Sequence, residues 1–382
     1  MSESKDRPDV FEVAVIGGGV AGAASALRAG QYNIPCAWIM GNKDSARRSR
    51  GRWVHNIDNM IGVHPGIVLD KLAKRWRKDE KLLEALDDLA PMAIGTQDLV
   101  DNVVGRLRDE ESTVTFIQDL ATHATREDGF LFRIDLGKGD VVRARNVVLA
   151  TGVMDRQPSV AMVKKGEVKD EIKWVYPFAN RESLLYCIRC EGHLTRHHKV
   201  AVIGHSETAA QIALMLCQRY GSSLAILTNG EELDVAPETT LLLEHYGIQV
   251  ESSRIVEMRD EAGKARGDLN EIVLEDGTVV QVRHALVSLG IYRVYNDLAR
   301  ELGAELYDPD EPEEQRHVLV DSRGETSVPG LFAVGDMAKR SDEPIMKQVY
   351  TSQEYAVRAI DSVDRRWRRR MREAILDSSK SR

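Results

Sequence analysis

The chain has 382 residues, of which 43% are apolar, and it carries a net charge of -8. This composition predicts a folded body of two domains, or one large one, and excludes a largely disordered chain. The acidic balance argues against a nucleic-acid-binding protein, which needs a basic surface. Because the sequence shows neither a signal-peptide pattern nor an apolar run of about 20 residues, we expect a cytoplasmic protein.

Strand and helix patterns alternate from the start of the chain. Residues 11–16 predict a buried strand, residues 17–22 a tight turn, residues 23–30 a helix and residues 35–40 a second strand. Such a βαβ unit implies a parallel sheet covered by helices. The next predicted elements are a charged amphipathic helix over 68–89, short antiparallel strands over 114–116, 130–135 and 141–143, and a buried strand over 146–150.

A second unit of the same kind follows in the middle of the chain. It consists of a strand over residues 200–203, a turn that begins at Gly204, a helix to about residue 219 and a strand over residues 224–227. Two such units predict two dinucleotide-type domains, one of them inserted in the other.

The first turn fits the pattern G-x-G-x-x-G with Gly17, Gly19 and Gly22. Between a strand and a helix, these glycines allow a sharp turn and the close approach of a pyrophosphate, while the helix N-terminus supplies N–H groups. The sequence therefore predicts dinucleotide binding here, and a glycine-rich turn without function is the alternative. No acidic residue ends the second strand, which leaves the adenosine contacts unassigned.

Cys187 and Cys190 form a C-x-x-C pair, and Glu191 follows directly. Such a pair supports thiol–disulfide chemistry, because one cysteine attacks and the other resolves the mixed disulfide, and a carboxyl group nearby can pass protons. The alternatives are a pair of buried cysteines and a Cys2His2 zinc site. That zinc site would take its two histidines from His193, His197 and His198, which lie nearby in the sequence. We assign no metal, and we expect Cys36 and Cys217 to be core residues.

Several motifs together resemble thioredoxin reductases. They are Cys187-Ile-Arg-Cys190-Glu191-Gly192, the A-T-G turn at Thr151 and Gly152, the segment Asn59-Met60-Ile61-Gly62, the pair Gly335-Asp336, and the step Lys347-Gln348-Val349. The resemblance covers residues 11–359 and implies an FAD flavoprotein. It implies that Asp336 holds the ribityl chain and that backbone N–H groups at Lys347, Gln348 and Val349 face the flavin ring. It also implies that Cys190 faces the flavin, that Cys187 exchanges with an outside thiol, and that Glu191 is the acid/base.

The resemblance further implies an α/β fold with two Rossmann-like, three-layer ββα domains, the second inserted in the FAD domain. The expected boundaries are an FAD-binding first part over 1–155, a connector with the C-x-x-C pair over 156–195, an inserted nucleotide-binding-like domain over 196–285, a second FAD part over 286–360, and a basic amphipathic C-terminal helix and tail over 361–382. By analogy with the family, a homodimer is expected.

The second turn departs from the family pattern G-x-G-x-x-A. Ser206 replaces the middle glycine, and Glu207 adds a negative charge beside it. The basic cluster that binds a 2′-phosphate is replaced by Glu231 and Glu232, with no Lys or Arg between Arg219 and Arg254. We therefore predict that NADPH is not the electron donor. NADH is not excluded.

Two branches of the superfamily share this loss: diflavin-linked disulfide oxidoreductases, which carry a second FAD, and dithiol oxidases, which hand electrons to oxygen. One or two FAD molecules per chain fit these branches. Tyr292, Tyr295 and Trp174 are the aromatic residues considered for stacking on a second flavin, and ordinary packing is their alternative.

Two basic segments remain. The loop over residues 47–53 either binds an anionic cofactor group or is simply solvated. The last helix places Ile360, Val363, Trp367, Met371 and Ala374 on one face and crowds the rest with arginines. Peripheral membrane contact, packing on a dimer partner and a solvated tail are its three interpretations.

The leading hypothesis is a flavin-dependent disulfide oxidoreductase that does not use NADPH and whose partner is a dithiol or a protein disulfide, such as a thioredoxin-like protein. The alternatives are an NAD(P)H-dependent thioredoxin reductase and a flavin-binding redox sensor.

Overall fold

The fold is known here from a computed structural model, which describes residues 8–54, 57, 59–61, 73, 81, 94–110, 112–127, 131–160, 162–164, 167–169, 174–264, 267–341 and 343–380. The helix predicted over residues 68–89 and Gly62 of the predicted flavin-contacting segment lie outside the residues described in detail.

The described helices and strands alternate as the sequence indicates. The first part of the chain forms β1 (Phe11–Ile16), α1 (Val20–Gln31), β2 (Cys36–Ile39), α2 (Lys43–Arg47), α3 (Thr96–Asp109), β3 (Val114–Ile117), β4 (Ala121–Glu127), β5 (Leu131–Leu136), β6 (Val141–Leu149) and β7 (Val153–Asp155). The middle forms β8 (Met162–Lys164), β9 (Glu167–Lys169), α4 (Tyr176–Ala179), β10 (Leu184–Leu185), α5 (Ile188–Glu191), β11 (Lys199–Ile203), α6 (Glu207–Tyr220), β12 (Ser223–Leu227), α7 (Pro237–His245) and β13 (Gln249–Glu251). The last part forms β14 (Ile255–Arg259), β15 (Glu271–Leu274), β16 (Val279–Gln281), β17 (His284–Val287), β18 (Ile291–Val294), α8 (Asp297–Glu301), β19 (Val318–Val320), β20 (Leu331–Ala333), β21 (Ala338–Arg340) and α9 (Val349–Lys380).

The chain divides into two compact units. Unit 1 contains residues 1–50, 96–154 and 293–382, and unit 2 contains residues 51–95 and 155–292. The predicted connector and inserted domain lie in unit 2 together with residues 51–95, which the sequence analysis assigned to the first FAD-binding part, and the last helix lies in unit 1.

Unit 1 is built on a seven-stranded sheet with the order β3-β2-β1-β6-β5-β4, in which β20 also pairs with β6. β1, β2, β3, β6 and β20 are parallel, whereas β4 and β5 add an antiparallel edge. The strand predicted over 114–116 exists, but its predicted antiparallel pairing is wrong, because β3 pairs in parallel with the distant β2. The sequence analysis also missed β4 and divided β6 into two strands.

The core of unit 1 lies between this sheet and the helices α1, α3 and α9. Val13, Val15 and Trp38 of the sheet pack in one cluster with Ala26 of α1 and Val363 of α9. Small residues along α1 let that helix lie close to its neighbours, since its buried positions are alanine, glycine and serine. Cys36 is part of this core, as expected.

Unit 2 contains a five-stranded, fully parallel sheet with the order β10-β17-β11-β12-β13. β14, β15 and β16 form a separate antiparallel sheet. Alanines and leucines of α6 pack on the parallel sheet, and Cys217 lies at the edge of that core. These two α/β units confirm the predicted fold class.

Candidate active site

The first and last glycines of the motif, Gly17 and Gly22, are required by contacts within the protein. Gly17 has a φ of 133°, and a Cβ on it would lie 2.2 Å from the carbonyl oxygen of Ala150. A Cβ on Gly22 would lie 1.9 Å from the carbonyl oxygen of Gly17. The sharp turn and the close packing of α1 on β1 therefore explain both glycines.

No contact within the protein requires a glycine at position 19. Its φ is -86°, and no atom lies within 4 Å of a Cβ built on it. It precedes α1, whose N-terminus has no side-chain cap. A helix N-terminus behind an open, side-chain-free backbone is the arrangement that receives the pyrophosphate of a dinucleotide. The residues of this turn therefore fit FAD.

Asp336 lies beside the start of α1. Gly335, the preceding residue, packs so closely on this helix that a Cβ would lie 2.8 Å from the Cβ of Ala21. The Asp336 carboxylate accepts a hydrogen bond of 3.0 Å from the guanidinium of Arg50, and both side chains are largely buried. The basic loop therefore directs one arginine to the carboxylate that the family resemblance assigns to the cofactor.

Thr151 and Gly152 follow β6 and are joined to Tyr295. The Thr151 hydroxyl donates to the carbonyl oxygen of Tyr295 at 2.6 Å, and the Tyr295 amide donates to the carbonyl oxygen of Gly152 at 3.0 Å. The Tyr295 hydroxyl donates to the carbonyl oxygen of Arg48 at 3.1 Å. Of the other aromatic candidates, Trp174 is buried and Tyr292 is exposed.

The remaining predicted cofactor residues lie at a helix start and in a turn. α9 begins at Val349, and the buried Gln348 before it donates from its side-chain amide to the carbonyl oxygen of Lys347 at 2.8 Å. Asn59 is exposed in a turn of unit 2. The assignment of these residues as flavin contacts stays a prediction.

Cys187 and Cys190 form a disulfide with their Cα atoms 5.3 Å apart. Cys187 caps the short helix α5, and its sulfur accepts a hydrogen bond of 3.2 Å from the amide of Cys190. The cysteines are 9% and 7% exposed, respectively. Because exposure does not separate the two sulfurs, the assignment of Cys187 to the outside thiol stays a prediction.

Glu191 ends α5 and is 1% exposed. One oxygen of its carboxylate accepts hydrogen bonds from the amides of Tyr186, at 2.9 Å, and Cys187, at 3.0 Å. This places the carboxylate next to the backbone of the first cysteine, and its assignment as the acid/base stays a prediction.

The sequence analysis missed a buried polar group around Tyr186. Trp53 donates from its indole nitrogen to the Asp155 carboxylate at 2.9 Å, and its ring lies 6.3 Å from that of Tyr186. The Tyr186 hydroxyl donates to the side-chain oxygen of Gln157. Burial, and then the charges of Asp155 and Glu191, raise the pKa of Tyr186 well above its usual value, so its phenol keeps its proton. No sequence signal connects these residues, because they come from three distant segments.

The second turn differs from the first in its middle position. A Cβ on Gly204 would lie 2.5 Å from the carbonyl oxygen of Ser288, so this glycine is again required by packing. Ser206 carries a side chain at the start of α6, where the first turn has the open Gly19. The loop after β12 is tied to this turn, since the amide of Asp234 donates to the carbonyl oxygen of His205 at 2.8 Å.

Glu207 is held by three donors. Its carboxylate accepts hydrogen bonds from the Thr239 hydroxyl at 2.7 Å, the Gln211 amide group at 2.8 Å and the Ala236 backbone amide at 3.0 Å. These hydrogen bonds, that of Thr239 most, lower the pKa of Glu207. The first turn of α6 therefore carries a fixed negative charge.

One cation approaches the loop after β12. The side chain of Arg254 lies over Gly230, where an added Cβ would lie 2.8 Å from the Arg254 Cγ. Arg254 is exposed, and it is the first Lys or Arg in the sequence after Arg219. The guanidinium side chain of Arg254, which follows β13, therefore lies beside the loop after β12.

The described part of the chain offers neither a metal cluster nor a membrane-spanning helix. Within the described ranges, no group of three or more His, Cys, Asp or Glu side chains is arranged to hold a metal ion. His198 instead stacks on His284 with ring centroids 5.2 Å apart. None of the helices in the described part of the chain combines the length and apolar character needed to cross a membrane.

Solved structures show the same fold. An oxidoreductase from Agrobacterium tumefaciens matches with a TM-score of 0.67 and 19% identity, over 93% of this chain and 98% of that one. A thioredoxin reductase from Streptococcus pyogenes matches with a TM-score of 0.67 and 17% identity, over 93% of this chain and 97% of that one.

Curated relatives are longer proteins. An NADH dehydrogenase of Ferdinandcohnia aciditolerans is 24% identical over 370 residues, which are 94% of this chain and 59% of the relative. A component of the alkyl hydroperoxide reductase of Pseudomonas aeruginosa is 23% identical over 347 residues, which are 88% of this chain and 55% of the relative. The chain thus spans a little over half the length of these relatives. The model of the pyridine nucleotide-disulphide oxidoreductase family matches residues 11–356, and the chain belongs to this family.

Proposed function

We propose that the protein is a flavin-dependent thiol–disulfide oxidoreductase in which FAD exchanges electrons with the pair Cys187 and Cys190. The observation that carries this proposal is the buried disulfide with the Glu191 carboxylate anchored on the amide of Cys187. Membership in an FAD-binding family and the open first turn at Gly19 support the cofactor.

Three residues of unit 2, Cys187, Cys190 and Glu191, carry out the proposed thiol–disulfide exchange. A thiolate of a dithiol partner attacks the sulfur of Cys187, the S–S bond breaks, and Cys190 leaves as a thiolate. The second thiol of the partner then attacks the mixed disulfide, which releases an oxidised partner and a reduced cysteine pair. Glu191 is the group that takes or returns the proton at Cys187. A bound FAD supplies the two-electron acceptor for this pair, and the reverse direction uses the same residues.

We propose further that NADPH is not the electron donor. Ser206 replaces the middle glycine of the second turn, and Glu207 holds a negative charge at the start of α6, where a pyrophosphate would need positive surroundings. Glu231 and Glu232 follow β12, and a 2′-phosphate beside them would be repelled. The second FAD, the homodimer and membrane contact of the last helix stay predictions.

The second candidate is an NAD(P)H-linked reductase. Two observations favour it: the relatives named NADH dehydrogenase, and Arg254, which lies over Gly230 in the loop after β12. NADH lacks the 2′-phosphate, so the glutamates of the loop do not exclude it.

The test follows the flavin absorbance of the purified protein without oxygen. We expect a small dithiol to bleach the flavin and NADPH to leave it unchanged. Rapid bleaching by NADPH or NADH would establish the nucleotide-linked candidate instead.

Replacing one cysteine tests the route through the disulfide. Cys190→Ser should abolish dithiol-driven flavin bleaching, because no disulfide remains to be reduced. The matched control is Cys217→Ser, which changes a free cysteine at the edge of the unit 2 core and should bleach as the parent does. Equal bleaching in Cys190→Ser and parent would contradict the proposed route.

A further inference from the structure

Two buried carboxylates are linked to Tyr186, the residue before the first redox cysteine: Glu191 directly and Asp155 through Trp53 and Gln157. Glu191 bonds the amides of Tyr186 and Cys187, and Asp155 bonds the indole of Trp53. Asp155 is 9% exposed and lies in unit 2 with the disulfide. The family motif accounts for Glu191 but not for Asp155.

Tyr186 connects the two acids. Its ring lies 6.3 Å from that of Trp53, the donor of Asp155, and its hydroxyl donates to Gln157. The Gln157 side chain donates in turn to the backbone carbonyl oxygen of Asp155 at 3.3 Å. The charges of Asp155 and Glu191 both act on the Tyr186 phenol, so both acids lie within electrostatic reach of the residue that precedes Cys187.

We propose that Asp155 is a positioning residue for the redox pair: its buried charge, fixed by Trp53, controls how readily the cysteines formed on reduction lose their protons. The inference rests on the proposed function of the Cys187–Cys190 disulfide.

The chemistry needs such control. Reduction breaks the S–S bond and adds two electrons, which leaves two sulfurs that are thiolates until each binds a proton. A nearby negative charge in a buried site disfavours the thiolate and favours the thiol. Asp155 therefore keeps the reduced pair protonated to a higher pH than the rest of the site would allow.

The test measures alkylation of the two cysteines as a function of pH. The complete protein is reduced with a phosphine, and iodoacetamide modification of Cys187 and Cys190 is followed by mass spectrometry. Asp155→Asn keeps the shape and removes the charge, so the pH of half-maximal reactivity should fall by about one unit, a roughly tenfold higher reactivity below that pH. An unchanged midpoint would overturn the inference.

Two further variants make the result specific. Asp155→Glu retains the charge and should restore the parent midpoint at least in part. Asp268→Asn removes an exposed carboxylate of the same unit and should leave the midpoint unchanged, because solvent screens its charge. An equal downward shift in Asp268→Asn would show that the effect does not belong to Asp155.

Another variant covers the case in which Asp155→Asn does not fold. Trp53→Phe keeps an aromatic ring but removes the indole N–H that holds the Asp155 carboxylate in place, so the midpoint should move in the same direction by a smaller amount. No movement would overturn the inference. If the parent cysteines resist alkylation at every pH after reduction, the proposed function itself fails; if they react but Asp155→Asn leaves the midpoint in place, this inference alone fails.

Discussion

Gly17 and Gly19 stand two residues apart in the first turn, but contacts within the protein require only Gly17. A side chain at Gly17 would meet the backbone of Ala150, whereas a side chain at Gly19 would meet open space. The same motif therefore combines a glycine that packing requires with one whose predicted role is to receive the cofactor.

This difference predicts opposite phenotypes for two alanine variants. Gly17→Ala should lower the free energy of unfolding by about 3 kcal/mol, because it adds a close contact at a left-handed φ. Gly19→Ala should cost at most about 1 kcal/mol in the apoprotein, yet weaken FAD binding at least about tenfold. The measurements are urea unfolding of the apoproteins and FAD titration by fluorescence. Parent-like FAD affinity in Gly19→Ala would contradict the assignment of this turn.

Residue by residue, local motifs predicted what local contacts create. Cys187, Cys190 and Glu191 lie within five positions, so their pattern indicated a redox site, and the structure brings them together. Trp53 and Asp155 lie 102 residues apart in the chain, and no local sequence pattern predicts the hydrogen bond between them. Sequence reasoning therefore found the cysteine pair but not the buried carboxylate that bonds Trp53.

Among the elements, α9 has the predicted apolar stripe, but one part of the stripe is buried and another part is exposed. The predicted apolar stripe exists, but Ile360, Val363 and Trp367 pack on the core of unit 1, whereas Met371 is 42% exposed. Several arginines of the helix also have acidic partners, such as Arg366 with Glu325 and Arg370 with Glu12. Only the last turns of the stripe are thus left for a membrane or a partner.

Two substitutions in α9 test this division. Val363→Ala removes a fully buried side chain and should cost about 2 kcal/mol. Ile375→Ala changes a side chain that is 67% exposed and should alter the free energy of unfolding by less than about 0.5 kcal/mol. Urea denaturation of the two proteins measures both values. A comparable loss in Ile375→Ala would mean that the end of the helix is covered in solution.

Strand pairing was the least predictable feature at this scale. The strands β1 and β11 and the helices behind them follow from buried runs and glycine turns, which are local signals. The partner of β3 is β2, which ends about 75 residues earlier, and no local pattern states such a pairing.

For the molecule as a whole, one buried histidine in each unit connects stability to pH. Burial first, and then nearby positive charge, lower the pKa of His284 in unit 2 and of His317 in unit 1 to about 4. An unfolded histidine has a pKa near 6.5, so between these values the unfolded chain binds protons that the folded one does not. Stability must therefore fall as the pH falls from about 6.5 to 4.

We expect each histidine to contribute up to about 1.4 kcal/mol of lost stability per pH unit in this window. His284→Gln should reduce the dependence of unfolding free energy on pH, measured by urea denaturation at pH 7, 6 and 5. The exposed His245 offers the control His245→Gln, which should keep the parent slope. A parent-like slope in His284→Gln would contradict the role of that residue.

The tie between Glu207 and the segment after β12 has a consequence for redesign. A redesign of the second turn for a nucleotide with a 2′-phosphate could not stop at Ser206→Gly and a basic pair in place of Glu231 and Glu232. Glu207 also accepts hydrogen bonds from Ala236 and Thr239, so its removal would leave the first turn of α7 without these contacts. The redesigned site would need a replacement for the whole loop after β12, with new hydrogen bonds that hold the start of α7. Without them, a change that favours nucleotide binding would also destabilise this part of unit 2.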